Sequence, residues 1–374
     1  MISFVRDFIP VSEPDISSLE KSYLNQAIDS GWISSSGKFV ERFEDLWAQE
    51  CGVKHSLAVA NGTVALHLVL AALDIGLGDE VIVPSLTFIA SANAIRYVGA
   101  TPRFCDVNRR TWCIDPDDVA RLITSKTKAV ICVDLYGNPC SMKELRKLCD
   151  KRGIWLIDDA AEAHYATIGG LPAVSYSHVA TFSFFGNKII TSGEGGAVVT
   201  SDTSLYQRMK LLRDQGMDPN RRYYFPEVGF NFRLTNLQCA LLCAQIERSE
   251  ELLQKRADLF ATYNSLLFEE KEIEFQSVTN DGKQSPWLYT FLLPTRGPDE
   301  LATLMVNLKL AGIETRPVFI PIHILPPYLE FRKLDLTNTM KISSTGISLP
   351  TSSCMSKLEV LFVAQTFLKE LKKL

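Results

Sequence analysis

The chain has 374 residues, 46% hydrophobic and 22% charged, ordinary proportions for a globular protein and a length that favours two domains over one core. Its 39 basic and 43 acidic residues leave a net charge of −4, which argues against nucleic acid or an anionic membrane as partner. Nine cysteines, scattered singly with no CxxC pair, speak against a disulfide framework and for a reduced, cytoplasmic protein.

The opening stretch MISFVRDFIPVSEPDISS lacks a basic segment followed by a long apolar run, so neither a signal peptide nor a membrane span is expected. From there, apolar runs at 56–60, 80–84, 102–107, 129–135, 154–158, 179–184 and 197–200 predict strands. Several are nearly continuous in apolar residues, the pattern of strands buried on both faces of a parallel sheet. Helical patterns fall between them at 63–75, 88–98, 115–124 and 141–152. Asp115 is a good N-cap with Pro116 at the first helical position. The alternation predicts a three-layer α/β domain. The link between 179–184 and 197–200 is too short for a helical crossover, so that pair should be antiparallel. Residues 235–267 predict one long helix, and 268–374 a smaller α+β domain. The expected division is 1–245 for a large domain with the N-terminal segment and 246–374 for a small one. Cys239 and Cys243, four apart on the long helix, read as core filler rather than metal ligands, and no metal site is expected.

Ligands of open α/β sheets collect at the carboxyl ends of the strands. After the first predicted strand, Gly62 and Thr63 open a helix whose free N–H groups favour an anion. After the second, Phe88 offers a flat wall. After the fifth stand Asp158 and Asp159, which an extended backbone points to opposite sides. After the sixth stand Ser183 and, five residues on, Lys188. Each has an ordinary alternative: a helix cap, a core aromatic, a solvated strand end, a surface lysine. Together they match the needs of pyridoxal phosphate, whose phosphate takes donors, whose ring takes stacking, whose ring nitrogen takes a carboxylate and whose aldehyde takes a lysine amine.

The stretches NGTVALHLVL, GDEVIVPSLTFIASANAI, DDAAEAH, SFFGNKIITSGEGG, GFNFRLTNLQ and RPVFIPIH resemble the DegT/DnrJ/EryC1/StrS sugar-nucleotide aminotransferases. The resemblance runs over nearly the whole chain. It implies an aspartate aminotransferase-like fold type I: a mostly parallel seven-stranded sheet between helices, with a smaller C-terminal α+β domain. It implies Lys188 as the Schiff-base lysine and proton carrier and Asp159 as partner of the ring nitrogen. It implies Gly62, Thr63 and Ser183 at the phosphate, Phe88 on the ring and Glu162 near the phenolic oxygen. Asn231 would reach the cofactor phosphate of a neighbouring subunit, making a homodimer with shared sites, with pairing into tetramers left open; Arg233 is a weaker candidate in the same motif.

Residues 213–236 most resemble members that aminate C4 of a GDP-linked 4-keto-6-deoxymannose with L-glutamate as donor, for polysaccharide assembly. Amination of another UDP- or dTDP-linked keto-sugar, or of C8 of an eight-carbon keto-deoxy acid, stays open, as does a cofactor-binding regulator. Substrate-facing candidates are Trp32, Ser34, Tyr136, Arg221, Arg316 and His323. Three positions depart from the common pattern: Glu162 for Gln, Asp134 for His, and Tyr165 for Gly.

Overall fold

The computed structural model describes residues 6–374; the first five residues of the stretch read for a leader lie outside them. In chain order, α1 (Ser18–Asp29) and α2 (Lys38–Glu50) precede β1 (His55–Val59). Then α3 (Gly62–Ala72), β2 (Glu80–Pro84), α4 (Ala90–Tyr97), β3 (Thr101–Cys105), α5 (Pro116–Leu122), β4 (Thr127–Val133), α6 (Met142–Arg152) and β5 (Trp155–Asp159) alternate. A small hairpin, β6 (Thr167–Ile168) and β7 (Leu171–Pro172), leads to β8 (Val179–Ser183), β9 (Gly196–Thr200) and α7 (Thr203–Arg213). The rest comprises α8 (Asn236–Glu247), α9 (Ser249–Leu267), β10 (Glu274–Phe275), β11 (Gly282–Lys283), β12 (Tyr289–Leu292), α10 (Pro298–Leu310), β13 (Arg316–Pro317), α11 (Thr337–Thr345), β14 (Gly346–Leu349) and α12 (Lys357–Leu371).

The main sheet has seven strands in the order β1-β9-β8-β5-β4-β2-β3. It is parallel from β8 to β3, and β9 runs antiparallel to both its neighbours, as the short β8–β9 link requires. Burial on both faces explains the unbroken apolar runs. One face packs Leu57, Val83 and Ile131 against α3, α4 and α7. The other packs Ile82, Val130 and Leu156 against α5 and α6, and Ala180, Phe182 and Ala197 against α2 and α8. Cys239 and Cys243 sit fully buried in that last cluster.

The single helix expected over 235–267 is two helices, broken at Arg248, whose backbone (φ −101°, ψ 6°) leaves helical geometry. Its guanidinium is tied to Asp15 at 2.9 Å and Glu20 at 2.6 Å. A break this short keeps the apolar periodicity in phase, so the sequence pattern runs through it.

A second sheet, β10-β12-β14-β13, is covered by α9, α10 and α12 through Tyr263, Leu304 and Phe367. Residues near the N-terminus join it, although a division at 245 groups them with the larger part. Ile9 pairs with Ile313, and the Val11 N–H donates to Glu314 at 2.9 Å.

Candidate active site

The carboxyl ends of β1, β2, β4, β5 and β8 converge on a cavity of about 640 Å³, closed on its far side by residues of the small sheet. At the end of β1, Asn61 caps α3, its side chain accepting from the Val64 N–H at 3.0 Å. The N–H groups of Gly62 and Thr63 precede any intrahelical acceptor and border the cavity. Ser183, at the end of β8, borders it too. A Cβ on Gly62 would lie 3.0 Å from the Ser183 Cβ. A Cβ on Gly196, opening β9, would lie 2.5 Å from the Asn61 carbonyl carbon and 2.9 Å from the Gly62 nitrogen. The glycine cluster of 193–196 thus lets β8 and β9 pass against the entry turn of α3, leaving two amides and a hydroxyl around one spot suited to a phosphate.

Strand alternation separates the acidic pair of β5. Asp158 is fully buried on the core side, with the Cys132 Sγ 3.7 Å from its Oδ1. Asp159 enters the cavity. Its Oδ2 accepts from the Ser91 hydroxyl at 2.7 Å and its Oδ1 from the Ala161 N–H at 3.3 Å. Burial raises the Asp159 pKa, and the Ser91 hydroxyl, the Ala161 amide and Lys188 oppose that rise. Glu162 follows one turn later. Its Oε2 accepts from the Tyr136 N–H at 2.8 Å, and burial pushes its carboxyl up to about 7.

Lys188 enters from the turn after β8. Burial lowers its pKa, while Glu162 and Asp159 favour its charged form. Its Nζ lies 4.1 Å from the centroid of the Trp287 ring. Phe88, 57% exposed, Tyr136 and Arg316 line the same cavity. Unpaired helix-entry amides, a carboxylate with lone pairs to spare, a lysine of lowered pKa and flat apolar walls fit the phosphate, ring nitrogen, aldehyde and ring of pyridoxal phosphate.

Other expected residues stand elsewhere. Asn231 is exposed and bridges to Asp214 outside this cavity. Trp32 and Ser34 are exposed, and their carbonyls accept from the Asn236 side chain and backbone N–H, each at 2.6 Å. Arg221 is exposed, its guanidinium 4.3 Å from the Tyr224 ring centroid. His323, expected to face substrate, is instead a core side chain, 1% exposed. Its Nδ1 lies 2.7 Å from the Ser85 Oγ, because the turn at 322–324 docks on the end of β2 through the Ile322 N–H to Ser85 carbonyl bond. Two of the departures also lie outside the cavity. Asp134 is buried and takes the Cys140 N–H at 2.8 Å. Tyr165 packs edge-on against Trp47 with φ +65°, the left-handed conformation that glycine adopts freely.

Sequence reasoning passed over Ser91, the hydroxyl that holds Asp159, and Trp287, the ring under Lys188. Trp287 lies two residues before β12 and about a hundred residues from Lys188 in the chain, so nothing in its local sequence marks it.

The DegT/DnrJ/EryC1/StrS aminotransferase family matches residues 14–368. The GDP-perosamine synthase of Caulobacter vibrioides is 44% identical over 94% of this chain and 95% of its own. That of Escherichia coli O157:H7 is 40% identical over 96% and 97%. Among solved structures, Helicobacter pylori PseC, an aminotransferase involved in the biosynthesis of pseudoaminic acid, superposes with a TM-score of 0.92 at 27% identity, over 98% of this chain and 100% of its own. The chain belongs to the DegT/DnrJ/EryC1/StrS aminotransferase family.

Proposed function

We propose that this chain moves an amino group from L-glutamate to the 4-keto carbon of GDP-4-keto-6-deoxymannose, giving GDP-perosamine. The observation that carries the substrate is the 44% and 40% identity to two GDP-perosamine synthases over almost the whole chain. The reaction class is aminotransfer, and the cofactor is pyridoxal phosphate. When bound, that group supplies an aldehyde for amines and a protonated ring that holds the electron pair left at the adjoining carbon.

In this reading the Gly62 and Thr63 amides and the Ser183 hydroxyl would hold the phosphate, and Phe88 would cover the ring. Asp159, kept in place by Ser91, would keep a proton on the ring nitrogen. Lys188 would present its amine to the aldehyde and move protons at its Nζ. Glu162, its pKa raised by burial, would be suited to hold a proton near the phenolic oxygen. Tyr136 and Arg316 face the sugar. The exposed Asn231 would act across a homodimer, at the cofactor phosphate in the partner's cleft. No helix among the described residues is long and apolar enough to cross a membrane, and we place the enzyme in the cytoplasm.

The test supplies purified chain and glutamate with GDP-4-keto-6-deoxymannose, UDP- and dTDP-linked keto-sugars and the eight-carbon keto-deoxy acid, and reads amination by mass spectrometry. The GDP-sugar should show the highest kcat/KM; a preferred rival would move the substrate assignment. A regulator without turnover would aminate none of them and would keep its cofactor absorbance when glutamate is added.

A further inference from the structure

We propose that Trp287 is a positioning residue for Lys188: its ring is the resting place of the free ammonium, and its indole N–H fixes the backbone from which the lysine projects. This rests on the reading of Lys188 as the Schiff-base lysine. Four observations carry it. The Lys188 Nζ sits 4.1 Å from the ring centroid, within the range in which an aromatic face attracts a cation, tryptophan most strongly. The Trp287 Nε1–H donates to the Asn187 carbonyl at 2.9 Å, one residue before Lys188. The Trp287 carbonyl is itself held by the buried Arg256 guanidinium at 2.9 Å, which also binds the Thr351 carbonyl at 2.9 Å. On its ring side Trp287 stacks near Tyr136, centroids 6.0 Å apart at 18°. The indole is 3% exposed, so its position is fixed from both ends before any ligand arrives.

A lysine that is repeatedly freed and re-engaged needs a defined place when free, or each cycle spends a conformational search on a long side chain. The Trp287 face supplies that place without adding a counter-charge to those of Asp159 and Glu162. In the cavity that Lys188 enters, Asp159 and Glu162 stand at the β5 end, Tyr136 at the β4 end, Glu194 in the turn before β9 and Arg316 on β13. His164 and Arg256 lie behind them, His164 neutral because burial holds its pKa at about 3. These groups remain in every variant below, so the Phe variant, which also keeps an apolar wall, changes chiefly the face offered to the ammonium.

The experiment converts holoenzyme with L-glutamate to free the Lys188 amine and desalts it. It then acylates the enzyme at graded pH and reads the Lys188 fraction by peptide mass mapping. Removing the ring removes a contact that favours the ammonium. Trp287→Phe, which keeps the wall apolar but offers a weaker face, should therefore lower the midpoint pH by about half a unit. Trp287→Ala loses the face but also admits water, which favours the ammonium, so the Phe variant decides. A Trp287→Phe midpoint equal to or above that of the native enzyme overturns the proposal. Borohydride reduction of native holoenzyme tests the underlying reading separately. An adduct on Lys188 with unmoved midpoints sinks the role of Trp287 alone, whereas an adduct elsewhere sinks the reading of Lys188.

Discussion

Lys188 needs its amine neutral to take up a carbonyl and protonated to deliver a proton, and its surroundings pull in both directions. Burial lowers its pKa, while Glu162 and Asp159 raise it. A positioned acid–base group is worth about 100- to 10,000-fold, so Lys188→Ala should cost at least that much in turnover, measured by rapid mixing with glutamate. Glu162 makes a second, pH-dependent prediction. Its folded pKa of about 7 stands above the ordinary glutamate value of 4.5 because burial disfavours its charge. Between those values the folded chain keeps a proton that the unfolded chain has lost, so stability falls as pH rises through the window. Glu162→Gln keeps an acceptor for the Tyr136 amide and removes the titration. In cofactor-free chain, its stability relative to the native sequence should be flat near pH 4 and grow by on the order of 3 kcal/mol by pH 8. Denaturant titration at stepped pH checks this; a difference that stays constant across the range would assign the cost to another group.

At the scale of elements, the approach of β9 to the entry turn of α3 builds the anion cradle. Gly196→Ala would press a Cβ into the Asn61–Gly62 backbone at 2.5–2.9 Å, where nothing flexible can yield. Overpacking of this kind costs about 1–3 kcal/mol, and the displaced turn should also weaken phosphate binding. Gly186→Ala, in the same loop, meets only a distant Gly193 carbonyl at 4.0 Å and should stay within about 0.5 kcal/mol of the native chain. Thermal melts with cofactor titration compare the two. The strands of the main sheet were legible because burial on both faces writes a continuous apolar run, and their ends fell within two residues of those predicted. Strand alternation said that only one of Asp158 and Asp159 could enter the cleft, and the family resemblance chose Asp159. The break at Arg248 was not legible, since its cause is an ion pair with Asp15 and Glu20 from distant sequence. The role of Trp287 was hidden for the same reason: it reaches Lys188 from about a hundred residues away. His323 misled because a histidine between prolines carries no mark of which way its ring turns. Tyr165 shows the limit of pattern comparison, since its departure from glycine concerns backbone φ rather than a ligand.

For the whole molecule, several large apolar side chains stand exposed: Trp32 is 59% exposed, Phe88 57%, Tyr223 73% and Val228 90%. A two-fold homodimer would cover side chains such as these with its own copy and bring Asn231, stranded outside its own cleft, toward the partner's. This makes a sharp prediction for mixed dimers. Lys188→Ala should be inactive and Asn231→Ala weakened as separate proteins. In a mixed dimer, if Asn231 serves the partner, the intact lysine of one chain meets the intact asparagine of the other in one site, and the second site loses both. Random exchange of equal amounts puts half of the chains in mixed dimers with one good site of two, so about a quarter of native activity should return. If Asn231 serves its own chain, every site in the mixture lacks either its lysine or its asparagine, and exchange restores nothing above the average of the two variants.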